Sequence, residues 1–530
     1  MFQPSLRIAL AAFDRPATPA LWLRAVEELH AEPGFWWLDS ALPDARLGRY
    51  SFAGADPYLC LRANGTALEV EVRREIRHGL TPGLHRLDAD PIEFARSLLP
   101  RTDSLIYSTR TASQPSEPRW HEAAGLAAGL ELPFLGGAVG TLGYELASTL
   151  EPRLEFENPD ELGLPDLSLV FVDQVLAYDH VSDRLWIVGL GFEENRGAND
   201  REARKSAVAQ SRRVADRLSK RIEPAISRES SSPVADHRVE SAGARLGGEI
   251  EFSSTVDASG YAKAVDTILE EIEAGNVYQA NFSQRLTVES AVDPWKTYQA
   301  LRTHNPAPFG GYLSLPGASI LSSSPERFLR LDGSRRVESR PIKGTRPRGR
   351  DEAEDIRLST ELAASSKDRA ENLMIVDLVR NDLGRVCAPG SIEVSELMQI
   401  EVYAKVFQMV STVEGTLETG RDAFDLLRAT FPPGSMTGAP KLAAIELLEK
   451  LEAVKRGVYA GALGYFDLRG GLDLSVVIRT IVCQDGRAHL NVGGGIVADS
   501  NPAAEYLESL DKANAPLAAL ESVMHLEKSE

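Results

Sequence analysis

The stretch GALGYFDLRGGLDLSVVIRTIVCQDGRAHLNVGGG, residues 461–495, leaves the fewest choices for the fold. It reads as three strands separated by Gly-rich or Asp-Gly turns. The segments before it alternate with helices. YAKAVDTILEEIEAG is an amphipathic helix closed by Gly275. ASILSSSPERFLRLDGSRRVESRPIKG reads as strand, hairpin at Asp332-Gly333-Ser334, strand. SSKDRAENLMIVDLVRNDLG is a helix with Ser365 or Ser366 as N-cap, and TGAPKLAAIELLEKLE starts a helix with Pro440 in its first turn. DSNPAAEYLESLDKANAPLAAL is the closing helix.

The first part of the chain is patterned differently. Residues 1–222 read mostly as strands and turns: GFWWLDS, then RYSFAGADPYLCLRA, then two strands around a Ser-Asp turn in LSLVFVDQVLAYDHVSDRLWIVGLG. YSTRTASQPSEPRWHE, residues 107–122, reads as a surface loop, and a charged helix follows at about 198–220. Residues 223–249 are polar without apolar periodicity and read as a linker. The expected division is therefore 1–222, a linker at 223–249, and a second region at 250–525.

A chain of 530 residues with 43% hydrophobic and 25% charged residues is long enough for a large core. Its net charge of −19 argues against nucleic acid as a partner, because that contact needs a basic surface. Any anionic ligand must then be held by a local cluster of cations or a metal. Three scattered cysteines fit a reducing compartment, and no apolar run reaches the length needed to span a bilayer. The cytoplasm is the expected location.

Several constellations could carry chemistry. Asp368 and Glu371 lie three apart on one helix, and Glu505 and Glu508 on another, so each pair shares a face. If the two helices meet, four carboxylates converge and call for a hard cation such as Mg²⁺; otherwise they are solvated helix faces. Gly493, Gly494 and Gly495 either let backbone amides approach an anion or make a bulge. FPPGSMTGAPK resembles an anion-binding loop feeding a helix N-terminus. Arg479, inside the apolar run SVVIRT, is either paired with a core acid or binds a ligand carboxylate. Glu326 and Lys343 flank one hairpin, as a surface ion pair or as an acid and an amine.

Taken in order, SSSPERF, SRPIKGTRPRG, KDRAENLMIVDLVRNDLGRV, PPGSMTGAPK, GVYAGALGYFDLRGGLDLSVVIRT and VGGGIVADSNPAAEYLESLDKA resemble the chorismate-utilising enzymes. That family includes the first components of anthranilate and aminodeoxychorismate synthase and the isochorismate and salicylate synthases. FWWLDSALPDARLGRYSFAGADP adds a weaker likeness to the N-terminal region of the ammonia-using members. The resemblance implies an α/β (α+β) fold of antiparallel sheets packed as a sandwich with helices outside. It implies that Glu371 and Glu508 bind Mg²⁺, which holds the ring carboxylate of chorismate, with Asp368 and Glu505 behind them. Arg479 and Tyr459 would grip the enolpyruvyl carboxylate. Gly344, Thr345, Gly493, Gly494, Gly495 and Lys512 would complete the pocket.

Lys343 discriminates within the family, since anthranilate synthases resemble this chain but usually carry alanine there. The resemblance therefore implies an aminodeoxychorismate synthase component I, with Lys343 as nucleophile and Glu326 as acid; the rivals are anthranilate synthase component I and a silent regulatory subunit. An ordinary lysine, with a pKa of about 10.4, is neutral in only about one molecule in a few thousand at pH 7. The arginines at 340, 346 and 348 are expected to favour the free amine. Gln408 stands where many relatives have histidine, which fits an enzyme that keeps the enolpyruvyl group. No glutaminase nucleophile is recognisable in the chain, so ammonia is expected from a separate glutamine amidotransferase subunit or from solution. Tryptophan is a candidate ligand of the N-terminal region near Ser40 and residues 305–312, although Pro308-Phe309-Gly310 departs from the pattern of feedback-inhibited relatives.

Overall fold

The structure, a computed structural model, describes residues 6–75, 81–99, 105–110, 120–123, 132–194, 200–229, 250–403 and 405–529. Among these, the strands form two sheets of fourteen and twelve members. Neighbouring strands are antiparallel except where Leu6–Pro16 runs parallel to Leu105–Arg110. Apolar faces meet between the sheets, where Trp36, Phe52, Phe134 and Tyr465 pack ring against ring. Burying each such aromatic contributes on the order of 2–3 kcal/mol. Helices Pro19–His30, Asp200–Glu229, Pro294–His304 and Asn514–Ser529 contribute to a second apolar layer on the outer side of the larger sheet.

Both sheets take strands from each side of residues 223–249. Trp36–Asp39 pairs with Phe309–Leu315 in the larger sheet, and Gly137–Leu142 pairs with Ala462–Asp467 in the smaller. Part of the expected linker is regular structure. The helix expected to end near 220 continues to Glu229 through Pro224, because Ile222 and Ala225 are buried in the outer core. Residues 230–249 lie outside the described residues. The loop expected at 107–122 contains parts of two paired strands, Leu105–Arg110 and Trp120–Ala123; its residues 111–119 lie outside the described residues.

The 461–495 stretch holds four strands rather than three: Ala462–Asp467, Leu472–Val476, Thr480–Gln484 and Arg487–Ile496. The first two belong to the smaller sheet and the last two to the larger. The chain crosses between sheets at 477–479, where Arg479 adopts a left-handed φ of 53°. A similar crossing separates Leu167–Val172 from Gln174–Asp179, so that segment holds three strands instead of two. There the buried Asp173 is held by Arg74 at 2.8 Å. RYSFAGADPYLCLRA likewise divides, into Tyr50–Gly54 and Leu59–Asn64. The closing helix breaks after Pro502–Asp511 and resumes at Asn514. Among the described residues no helix is long and apolar enough to cross a membrane.

Candidate active site

A cavity of about 390 Å³ opens where the two sheets meet the helices Ser366–Gly384 and Pro502–Asp511. Ser365 caps the first helix by accepting the Asp368 N–H, and Asn501 caps the second by accepting the Ala504 N–H. Capping fixes the first turn of each helix and so aims the acidic residues one turn further in. Pro440, expected in a helical first turn, is instead the N-cap of Lys441–Leu451.

The helices do meet. Lys367 lies between them, 3.0 Å from Glu505 and 3.9 Å from Glu371. Sequence reasoning missed this lysine, although its i, i+4 spacing to Glu371 was a usable signal. Glu505 is buried and also accepts the Ser500 hydroxyl at 2.7 Å. Asp368 accepts from Arg346 at 3.1 Å. Among the described residues Glu371 has no hydrogen bond; burial pushes its carboxyl above the usual range, with Asp368 and Glu505 adding to the effect. Glu508 stands at the rim, its side chain 54% exposed and 3.0 Å from Lys512. Partial desolvation opposes its ionisation, but Lys512, Lys367 and Lys343 outweigh it and hold the carboxyl below its usual range.

No three of these groups are gathered tightly enough, among the described residues, to enclose a metal. Glu371 and Glu508 line one cavity together with Glu326, Asp368 and Asp511, and no hydroxyl or amide is bound to Glu371 among the described residues. That oxygen-only, incomplete donor set has the chemistry of a Mg²⁺ site that leaves positions for water and substrate.

SRPIKGT lies along the strand Val406–Thr416. Arg336–Ser339 and Ile342–Pro347 both pair with it, interrupted at Arg340-Pro341. The register slips between Ile342 and Thr345, a bulge that turns Lys343 into the cavity. Gly344 permits it: its φ is 88°, and a Cβ there would stand 2.9 Å from Asp368. Lys343 Nζ donates to the Ser435 carbonyl at 3.1 Å. Burial lowers its pKa, Lys512 lowers it further, and Glu371 and Glu326 oppose them.

The arginines are not the cause. Arg340 pairs with Glu401, Arg346 with Glu361 and Asp368, and Arg348 with Asp355. Each positive charge is already compensated, so the amine responds to desolvation instead. Glu326 is buried, 5% exposed, which removes the surface ion-pair alternative. Burial raises its carboxyl to about 7 against the opposing effects of the Ser435 hydroxyl, Lys343 and the Ile342 N–H.

Arg479 is half-buried in the cavity wall and has no acid within salt-bridge distance among the described residues. Its guanidinium donates to the Lys512 carbonyl, which the helix break leaves free. Desolvation lowers its pKa, opposed by Tyr459 and Glu508. Burial pushes the Tyr459 hydroxyl up to about 12, so it stays a donor. The core-pair reading of Arg479 does not hold.

Thr345, Gly493, Gly495 and Lys512 also line the cavity, but Gly494 and Glu505 do not. Strand alternation turns Gly494 to the opposite face, where a Cβ would stand 3.2 Å from Glu505. Of FPPGSMTGAPK, Ser435 and Met436 line the cavity, whereas Lys441 is tied to Asp382 at 2.6 Å and to backbone carbonyls. Gln408 is a lining residue whose amide oxygen is buried without a partner. Asn281 also lines the site, and nothing in its sequence context marked it. A second cavity, also about 390 Å³, brings Ser40 together with Pro308, Phe309 and Gly310.

An acid, an amine, a carboxylate pair and a guanidinium without an acid partner among the described residues face one cavity. The chain belongs to the chorismate binding enzymes, whose family model matches residues 99–518. It is 43% identical over 392 residues to an aminodeoxychorismate synthase of Streptomyces griseus, covering 74% of this chain and 51% of that protein. The chain thus spans about half the length of that relative. It is 36% identical over 504 residues to anthranilate synthase component 1 of Synechocystis, covering 93% and 92% of the two chains. The crystal structure of anthranilate synthase component I from Streptococcus pneumoniae superposes with a TM-score of 0.67 at 27% identity, covering 90% of this chain and 93% of that one. The mixed α/β sandwich is that of this family.

Proposed function

We propose that the chain is an aminodeoxychorismate synthase component I, converting chorismate and ammonia to 4-amino-4-deoxychorismate. The observation that carries this is the Lys343 amine inside the cavity, held by the Ser435 carbonyl and facing a site that also contains the buried acid Glu326. Glu371 and Glu508 would hold Mg²⁺, which when bound supplies the positive charge that neutralises a substrate carboxylate. Arg479 and Tyr459 orient the second carboxylate.

In this reading the Lys343 nitrogen forms a bond to ring carbon C2. The ring double bonds shift, the C4–O bond breaks, and Glu326 gives its proton to the departing hydroxyl, which leaves as water. Ammonia then bonds to C4, the double bonds return, and the C2–N bond breaks with its electron pair returning to Lys343. The proton shed by the new amine goes to Glu326, so enzyme and acid are restored. Covalent catalysis divides one hard substitution into two easier ones.

Ammonia would come from a separate glutamine amidotransferase subunit or from solution. The cavity beside Ser40 would take tryptophan or a similar amino acid, tested by its effect on turnover.

A second reading is anthranilate synthase component I, favoured by the relatives that match over nine-tenths of both chains. Purified chain, chorismate and ammonium, with and without Mg²⁺, separate the two by product. A chorismate-derived amine that retains its enolpyruvyl group supports our reading, and fluorescent anthranilate with pyruvate overturns it.

A further inference from the structure

Gln279 opens the strand Gln279–Val288 and is 1% exposed. Both atoms of its amide are buried without a hydrogen-bond partner. Leaving both ends of a buried amide unmet is costly, and such a group calls for a partner. Alternation along the strand places Gln279 on the face of Asn281, a cavity residue whose cross-strand partner is Gly495. A Cβ on Gly495 would stand 2.4 Å from Gln279 Nε2 and 3.5 Å from Lys343 Nζ. The missing side chain at 495 is therefore the space between this amide and that amine.

A neutral primary amine has two N–H bonds and one lone pair. For the lone pair to point at a ring carbon, both N–H bonds must be directed elsewhere. The Ser435 carbonyl takes one. The second needs a neutral acceptor, because a carboxylate would favour the ammonium form. Of the other groups acting on Lys343, Glu371, Glu326 and Glu508 are carboxylates and Lys512 is a cation. Asn281 is turned towards Tyr459. Gln408 also lines the cavity with an unmet amide oxygen, but it pairs with Thr345 and is not among the groups that meet at Gly495. Gln279 shares that gap with Lys343, and a half-turn of its amide, opposed by no existing bond, presents Oε1 instead of Nε2.

We propose that Gln279 is a positioning residue: its amide oxygen accepts the second N–H of Lys343 and so fixes the direction of the amine lone pair, across the gap that Gly495 leaves open. The inference rests on the reading of Lys343 as nucleophile.

The experiment is single-turnover adduct formation with chorismate and Mg²⁺ but no ammonia, followed by intact-protein mass spectrometry. Wild type should gain the substrate-derived mass on Lys343. Gln279→Leu should form the adduct at least about tenfold more slowly, the worth of one hydrogen bond, with KM for chorismate changed less than about threefold. Gln279→Glu keeps an acceptor but favours ammonium, so its adduct formation should require higher pH than wild type. Gln279→Met serves if the leucine variant does not fold, with the same expectation. Equal adduct rates in wild type and the apolar variant overturn the role of Gln279 while leaving Lys343 in place. Absence of any adduct in wild type overturns both.

Discussion

Arg479→Met tests whether the cavity is built for a dianion. The guanidinium occupies a wall position without an acid partner among the described residues, and it sits on a backbone with a φ of 53°. A charge-assisted hydrogen bond to a substrate carboxylate contributes about 1.5–3 kcal/mol. At 1.36 kcal/mol per factor of ten, losing it should raise KM for chorismate by about 10- to 150-fold. The folded state loses only the bond to the Lys512 carbonyl and is relieved of a poorly solvated charge. Stability should therefore stay within about 1 kcal/mol of wild type, since methionine keeps the same strained φ. Arg479→Gly should lower KM-dependent turnover similarly but gain roughly 1 kcal/mol from the relieved backbone. Steady-state kinetics with thermal melting reads both effects. A KM within threefold of wild type, or a collapse of stability in Arg479→Met, would refute the argument and return Arg479 to a structural role.

Lys343→Ala should still bind chorismate but lose turnover to the aminated product by at least about a hundredfold, and no mass should be trapped at that position; near-normal turnover reduces the lysine to an electrostatic partner. Glu326→Gln should lower turnover by about 10²–10⁴ with a smaller change in affinity. It also carries a stability signature. The Glu326 carboxyl is raised to about 7 in the folded chain, so its contribution is intact below the unfolded value near 4.5 and is lost as pH rises to 7. The glutamine does not titrate, so the variant should gain on wild type between pH 5 and pH 8, by up to about 3 kcal/mol in urea unfolding; a pH-independent difference rules this out. Glu371→Gln should fold, and its turnover should fall most at limiting Mg²⁺, whereas unchanged turnover there would leave Glu371 a buried carboxylate with no part in metal binding.

The spacing of acids on two helices, the hairpin joining Glu326 to Lys343 and the glycine run were legible because each follows from a fixed period along one element. What escaped depends on partners distant in sequence. SVVIRT reads as one strand, yet the chain leaves one sheet and enters the other inside it, which only the position of both sheets decides. The charged helix reads as giving way to a linker at 223, but burial of Ile222 and Ala225 outweighs the cost of Pro224 and carries the helix on to Glu229. The cluster of arginines read as pressure on Lys343, because Glu361, Glu396 and Glu401, their partners, lie on other elements. Gln279 carries no signal in the sequence, since an unmet amide exists only in three dimensions.

The interleaving of the two halves has a consequence for how the chain is made. Trp36–Asp39 is flanked on one side by a strand that emerges from the ribosome some 270 residues later, and Gly137–Leu142 waits longer still for Ala462–Asp467. Until then the nascent first half carries open strand edges and an unfilled apolar face, the state most prone to wrong pairing. Loop closure over such separations makes the final assembly slow relative to local helix formation. A gene split near residue 240 should therefore yield two insoluble pieces when expressed apart and a soluble pair when expressed together.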